Sequence, residues 1–303
     1  MELRHLRYFV VLAQELHFAR AAEKLNIAPS TLTVQIQEIE RRLSASLLAR
    51  TKRSVRLTPA GEIFLKEART VLAQFEKAEA AGRRAGRGEI GRVEIGYVGS
   101  AAYAGVLQDQ IRRFSNAWPG VHLHAAELPM EELPLLIDTG QVDIGFARLP
   151  MSLPGSLRTH VLLRDYFCLA LPARHALVGS SQEPISPALL ANEAFISPEQ
   201  QAGTYEVARR GHFAPQIVSA PGSLLAVLTQ VSVGAGVSVV PSIVRHVVHL
   251  PEVAFRPLAG EPILSEVAAV FRAQEDAPAV SHFVGQLLDA PLLTVHAQEW
   301  KEG

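Results

Sequence analysis

The chain has 303 residues, 48% of them hydrophobic and 19% charged, with a formal net charge of −1. That length calls for two or three folded units, and that composition excludes a disordered chain. A single cysteine, Cys168, excludes an internal disulfide and a cysteine-based metal site, and reads as a small buried hydrophobe. The near-neutral total hides an asymmetry. Residues 1–92 hold 17 Lys+Arg against 10 Asp+Glu; the whole chain has 29 and 30, so residues 93–303 hold 12 against 20. A basic head on an acidic body is what a phosphate-binding module joined to a sensing domain shows. No stretch approaches the roughly 18 uninterrupted apolar residues of a membrane helix. The start, MELRHLRYFVVLAQE, lacks the apolar core of a signal peptide. A soluble, cytoplasmic protein is expected.

Leu3 to Leu16 is expected to be an amphipathic helix with Leu6, Phe9, Val10 and Ala13 inward. Phe18 to Leu25 reads as a short helix ended by Asn26. Ala28, Pro29 and Ser30 lead into a second helix, where Leu32, Ile36, Ile39 and Leu43 recur at steps of four, three and four and form one buried stripe. Two helices joined by a tight turn, the second with a polar outer face, form a helix-turn-helix. The basic stretch Arg50 to Leu57 suits a small β-hairpin, or wing, and the whole points to duplex DNA. Thr58 caps the next helix, with Pro59 in its first turn and Glu62 at its positive end. Phe64, Ala68, Val71, Phe75 and Ala78 then alternate steps of four and three to about Arg84, the narrow seam of a coiled coil, read as a dimerisation helix. The Gly- and Arg-rich run Ala80 to Gly91 reads as a hinge.

From Arg92 strands and helices alternate: Val93–Tyr97, Val106–Trp118, Val121–Glu127, Met130–Thr139 and Val142–Arg148. This pattern implies a parallel sheet covered on both faces. A second run of the same kind starts at Tyr166–Pro172, and Val267–Phe271 with a helix at Ala279–Leu288 closes the chain. The fold class expected is therefore α/β behind an all-α winged helix-turn-helix, with two lobes enclosing a cleft. Boundaries are expected at 1–58 for the head, 59–91 for the linker helix and hinge, 92–163 with 267–303 for lobe 1, and 164–266 for lobe 2. No GxGxxG after a strand, GxxxxGK[ST], G-x-S-x-G or HExxH is present, which leaves an enzyme without a nucleophile or cofactor loop. No cofactor and no metal is expected. A solute-binding protein, or an enzyme using the cleft, stays as the alternative reading of the body.

Taken together these residues resemble the LysR-type transcriptional regulators along nearly the whole chain. The likeness is strongest in LRYFVVLAQELHFARAAEKLNI, in Leu32 to Glu40, in Arg50-Thr51 and in Leu57-Thr58-Pro59-Ala60-Gly61. In the body, Val142-Asp143-Ile144-Gly145-Phe146 and Gly234 to Pro241 are similarly placed. The resemblance implies a winged-helix head, a long dimerising helix and a two-lobed effector domain like a periplasmic binding protein. It further implies a bacterial regulator acting as a dimer of dimers on double-stranded promoter DNA, with RNA polymerase as a further partner and a small-molecule effector in the cleft. Three departures stand out. Pro29-Ser30 replaces a frequent Gln-Pro, Val34 a frequent Arg, and Ser44 the usual Gly; they imply an altered operator preference.

The expected DNA-reading residues are Pro29, Ser30, Thr33, Val34 and Gln37 in the major groove, with Arg50, Thr31, Lys52 and Arg53 at the backbone or minor groove. The expected effector residues are Ser100 and Ala101 at a helix start, Phe146 and Arg148 at a strand end, and Gln201, Gly203 and Thr204 facing them, with Phe195 and Ile196 behind. Pro129 stands where the family often has a hydroxyl, so one polar contact is missing. A small carboxylate, aromatic ones included, is the expected effector. Against this, Ser100 also reads as a helix cap and Arg148 as half of a lobe–lobe ion pair.

Overall fold

The computed structural model describes residues 1–51, 54–179 and 183–295. The chain divides into two compact units, Met1–Arg84 and Ala85–Gly303.

The first unit is built from α1 (Leu3–Glu15), α2 (Phe18–Lys24), α3 (Pro29–Leu43), the strands β1 (Leu48–Arg50) and β2 (Val55–Leu57), and the long α4 (Pro59–Gly86). Local chemistry sets each boundary. Leu16 turns left-handed at φ 46° and returns its amide to Leu12 O, stopping α1. Asn26 takes φ 56° after α2, a region that asparagine tolerates better than most residues. Pro29 occupies the first turn of α3, where its missing N–H costs nothing. β1 and β2 pair antiparallel with Leu48 opposite Leu57. Phe9, Leu12, Ala21, Ala22, Leu32, Ile36, Ile39, Leu47 and Leu48 form the core. Of the expected α3 stripe, Leu43 is the exception at 39% exposure. It is the last helical residue before the left-handed Ser44 (φ 49°) and reaches past the edge of the core.

Thr58 caps α4: its Oγ1 accepts from Gly61 N at 3.0 Å and donates to Ser46 O at 2.7 Å. The expected seam on α4 divides. Phe64 meets Phe9 edge-on, ring centres 5.0 Å apart, and Ala68 is buried, so these two positions are already covered within the chain. Farther along, Phe75 lies beneath the Arg7 guanidinium at 5.8 Å, while Val71 and Ala78 are exposed.

The second unit begins with β3 (Gly91–Tyr97), α5 (Gly99–Ala102), α6 (Val106–Ala117), β4 (Val121–Glu127), α7 (Leu133–Asp138) and β5 (Ile144–Leu149). β3 lies parallel to both β4 and β5. β6 (Leu157–Pro172) follows, then β7 (Ala194–Ile196), α8 (Ala202–Gly211), β8 (Gln216–Ser219), α9 (Leu224–Ser232), β9 (Ser238–Pro241), α10 (Val244–Val247) and β10 (Val253–Arg256). β11 (Leu264–Arg272), α11 (Pro278–Leu288) and β12 (Leu293–Thr294) complete the described chain.

The large sheet runs β10-β6-β11-β5-β3-β4 and is mixed, not parallel as expected. β11 lies antiparallel to both β5 and β6. β6 starts at Leu157, well before the expected Tyr166, because its first half pairs with β11; Arg158, Thr159, His160 and Arg164 give that half a polar texture that reads as loop. Its 16 residues join the lobes. Leu157 to Tyr166 pair with β11, and Phe167 to Pro172 pair with β9 and β10. Alternation in that second half puts Phe167, Leu169 and Leu171 in one core and Cys168 and Ala170 in another.

Candidate functional sites

On α3 the residues Ser30, Thr33, Val34 and Gln37 are spaced i, i+3, i+4, i+7 and share one side, turned away from the buried Leu32, Ile36 and Ile39. Pro29, Ser30, Thr31, Val34 and Gln37 are exposed, with Val34 at 58%. An exposed β-branched residue between hydroxyl and amide side chains matches a groove-reading surface, which needs a methyl and several hydrogen-bonding groups. Thr33 is half-buried, and its Oγ1 donates to Pro29 O at 2.9 Å, so its hydroxyl proton is engaged within the helix.

Arg50 is held within the head. Its Nη2 is 2.7 Å from Glu40 Oε2, and its guanidinium stacks 5.0 Å over the Phe18 ring. The other Glu40 oxygen accepts from Leu47 N at 2.9 Å and Leu48 N at 3.1 Å. Arg50 therefore braces the wing against α2 and α3, with its charge already matched. Lys52 and Arg53 lie outside the described residues. Arg56 is exposed on β2 and belongs to the same basic run, but it is not among the residues expected from the sequence.

The second site lies between the lobes of the larger unit. A cavity of about 800 Å³ is lined from lobe 1 by Glu127, Leu128, Pro129, Met130, Glu131, Pro134, Met151 and Ser152. Lobe 2 contributes Ser197, Pro198, Glu199, Gln201, Ala220, Pro221 and Gly222. A narrow extension of about 20 Å³ reaches Gly99, Ser100 and Gln200 and shares Glu127 and Glu199. Most of this lining comes from loops after β4, β5 and β7, as expected for ligands at strand C-terminal ends.

Of the ten expected effector residues, Pro129 and Gln201 line the cavity and Ser100 its extension. Ala101 and Phe146 belong to the lobe 1 core. Phe195 and Ile196 are buried in lobe 2 cores. Gly203 packs so tightly on Phe167 that a Cβ there would lie 2.6 Å from its ring. Thr204 is fully buried with no partner for its Oγ1.

Arg148 is a correction. It has 0% exposure and lines neither cavity; Nε, Nη1 and Nη2 all donate inside the protein. Nη1 meets Asp165 Oδ2 at 3.2 Å, Ser265 O at 3.1 Å and Ser265 Oγ at 3.0 Å. Nε and Nη2 donate to Ser100 O at 3.2 and 3.1 Å. Asp165 in turn accepts from Tyr166 N (2.7 Å), Ser242 Oγ (2.6 Å) and Ile243 N (3.4 Å). Ser265 Oγ donates to Gln200 Oε1 at 3.1 Å, and Gln200 Nε2 donates to Leu149 O at 2.9 Å. Burial lowers the Arg148 pKa from its ordinary value, and the adjacent Asp165 carboxylate opposes this only in part. This network sits where β6 and β11 cross between lobes, and it pairs Arg148 with Asp165, the ion-pair alternative for this residue.

The cavity's charged residues went unnoticed in the sequence. Glu127, Glu131 and Glu199 are all carboxylates. Glu199 spans the lobes by accepting the Met130 backbone N–H. Burial raises its pKa above the usual carboxylate range, Glu127 and Glu131 push the same way, and the Met130 N–H partly opposes them. Cys168 is fully buried, and burial first, with Asp165 second, pushes its thiol well above the ordinary value, which disfavours the thiolate that redox chemistry requires. Among the described residues, no group of three or more His, Cys, Asp or Glu is placed to hold a metal ion. No described helix is long and apolar enough to cross a membrane.

Residues 3–62 match the family model described as a bacterial regulatory helix-turn-helix protein of the lysR family. Residues 86–291 match the model of the LysR substrate binding domain. An uncharacterized HTH-type transcriptional regulator of Escherichia coli K12, YnfL, is 37% identical over 96% of this chain and 99% of its own. The HTH-type transcriptional regulator AlsR of Bacillus subtilis 168 is 33% identical over 94% of each chain. Among solved structures, full-length CbnR in complex with its target DNA superposes with a TM-score of 0.76 at 24% identity, covering 95% of this chain and 98% of its own.

Proposed function

The chain belongs to the LysR family of bacterial regulatory helix-turn-helix proteins, and on that premise we propose how this regulator reads DNA and senses its signal. α3 enters the major groove with Ser30, Thr33, Val34 and Gln37 against base edges, and Pro29 and Thr31 beside the backbone. Lys52, Arg53 and Arg56 supply phosphate contacts from the wing, and Arg50 holds that wing in place. A small molecule between the lobes changes how oligomers of the chain sit on promoter DNA. The protein acts by binding and carries out no reaction of its own. The observation that carries the DNA reading is the exposed polar and β-branched row on α3, directly opposite the buried Leu32–Ile36–Ile39 stripe.

Fluorescence anisotropy with a duplex selected by the wild-type chain tests this reading. Gln37→Ala is expected to cost about 1–3 kcal/mol and to relax preference at one base pair, while Arg56→Ala weakens all duplexes alike and lowers the salt slope by about one. If Gln37→Ala left both affinity and preference unchanged, Gln37 would be removed from the interface. Pairing through the exposed half of α4 is part of the same reading, because two heads one helical turn apart read a near-palindrome. Val71→Glu, at a position 46% exposed in the single chain, is expected to shift sedimentation toward the monomer at micromolar concentration. An unchanged sedimentation coefficient would move the pairing surface elsewhere.

A further inference from the structure

We propose that the ligand of the interlobe cleft is an organic cation, an ammonium group on an apolar body, and not the carboxylate expected from the sequence. This rests on the reading of the cleft as the effector site and concerns only which chemistry fits it. The cavity and the substrate-binding domain that contains it define the site; the side chains around it decide the charge of its occupant.

Glu127 and Glu131 approach from lobe 1 and Glu199 from lobe 2, and no Arg, Lys or His is among the described residues lining the cavity. Arg148, the cation an anionic ligand would need, is sealed in the hinge and matched by Asp165. The start of α5 offers no substitute. That helix has four residues, too few aligned peptides for a sizeable dipole. The protein's own Glu127 carboxylate already stands against Gly99 at its first turn, where any Cβ would collide with Oε1. An anion entering here would meet like charges and no counterion, an arrangement that discriminates strongly against a ligand.

A cation reverses each of these terms. Like charge from Glu127 and Glu131 already weighs on Glu199, and an ammonium beside Glu199 would relieve it with a charge-assisted hydrogen bond. The carboxylates are not grouped closely enough to hold a metal ion among the described residues, which favours an extended ligand over a bare cation. The walls between them, including Met130, Pro134 and Met151, are apolar and adaptable, suited to a hydrocarbon body. Because the carboxylates come from both lobes, a bound cation would draw the lobes together, and this links occupancy to hinge angle.

The test is calorimetric titration and thermal unfolding of the full chain with phenethylamine and butylamine against phenylacetate and valerate, acids of similar bulk, and with the diamine cadaverine. The amines are expected to bind and stabilise, and the acids are not. Glu199→Gln should weaken amine binding about ten- to a hundredfold; its amide oxygen still accepts the Met130 N–H, so the fold should be retained. Met151→Trp, which adds bulk to the cavity wall, should weaken binding of any cleft ligand. Acids that bind wild type but bind Met151→Trp more weakly would overturn the cation assignment while leaving the cleft as the effector site. Amine binding untouched by both substitutions would place the amine outside the cleft and overturn the proposal, and failure of every amine to bind would also overturn it.

Discussion

Arg148→Met is expected to destabilise the larger unit by about 3–5 kcal/mol, the usual consequence of removing one partner from a buried ion pair. The side chain is replaced by one of similar length without charge, so little volume is lost and the electrostatic loss dominates. Asp165 would keep its bonds to Ser242 Oγ, Tyr166 N and Ile243 N but would hold an uncompensated charge at 0% exposure. The carbonyl of Ser100 and both acceptors on Ser265 would also lose their donor. Urea unfolding should show the loss in the transition of the effector unit, with the head's DNA affinity at low temperature much less affected. The double variant Arg148→Met/Asp165→Asn should recover part of it, because the remaining buried group is then neutral and can still hydrogen-bond. A loss below about 1 kcal/mol, the scale of an exposed ion pair, would contradict the hinge role.

The second large effect is expected at Gly61. A Cβ at this position would overlap the Leu47 carbonyl oxygen and crowd Leu47 C and Leu57 Cδ2. That oxygen is backbone, fixed as the acceptor for Thr58 N at 3.0 Å, so it cannot rotate away as a flexible side chain would. Gly61→Ala must instead push α4 off the wing, at a cost of about 3 kcal/mol, the upper end of typical overpacking penalties. The damage would fall on the junction of β1, β2 and α4, which orients the wing. Loss of DNA binding with the effector unit's unfolding unchanged is the expected pattern. Wild-type stability for Gly61→Ala would show that this contact has slack.

How much of this was legible in the sequence varied with the kind of signal. The helix-turn-helix was readable because Leu32, Ile36 and Ile39 keep a helical period and because Asn26, Pro29 and Thr58 are punctuation with a local mechanism. Gly61 appeared only as part of the motif Leu57 to Gly61; the close approach of the Leu47 carbonyl that demands it comes from a residue fourteen positions earlier. The first half of β6 was not readable, since its pairing with β11 joins Arg158 to Phe271 and Leu163 to Val267, and no local pattern announces a partner so distant. Arg148 was noticed both as an effector contact and as half of an ion pair, but its partners could not be named for the same reason, Asp165 and Ser265 being brought to it by the crossing strands. The acidic character of the cleft was missed because Glu127, Glu131 and Glu199 are ordinary surface residues in sequence and meet only when the lobes face each other.

The most direct test of the central claim, a sequence-reading head on a ligand-sensing body, is selection of duplexes from a random pool by the full-length chain, repeated with Val34→Glu. The account predicts enrichment of a near-palindrome with half-sites about one helical turn apart, and loss of that enrichment when a carboxylate replaces the exposed Val34 on the reading face of α3. Recovery of no preferred sequence by the wild type, or of the same sequence with equal strength by Val34→Glu, would contradict it.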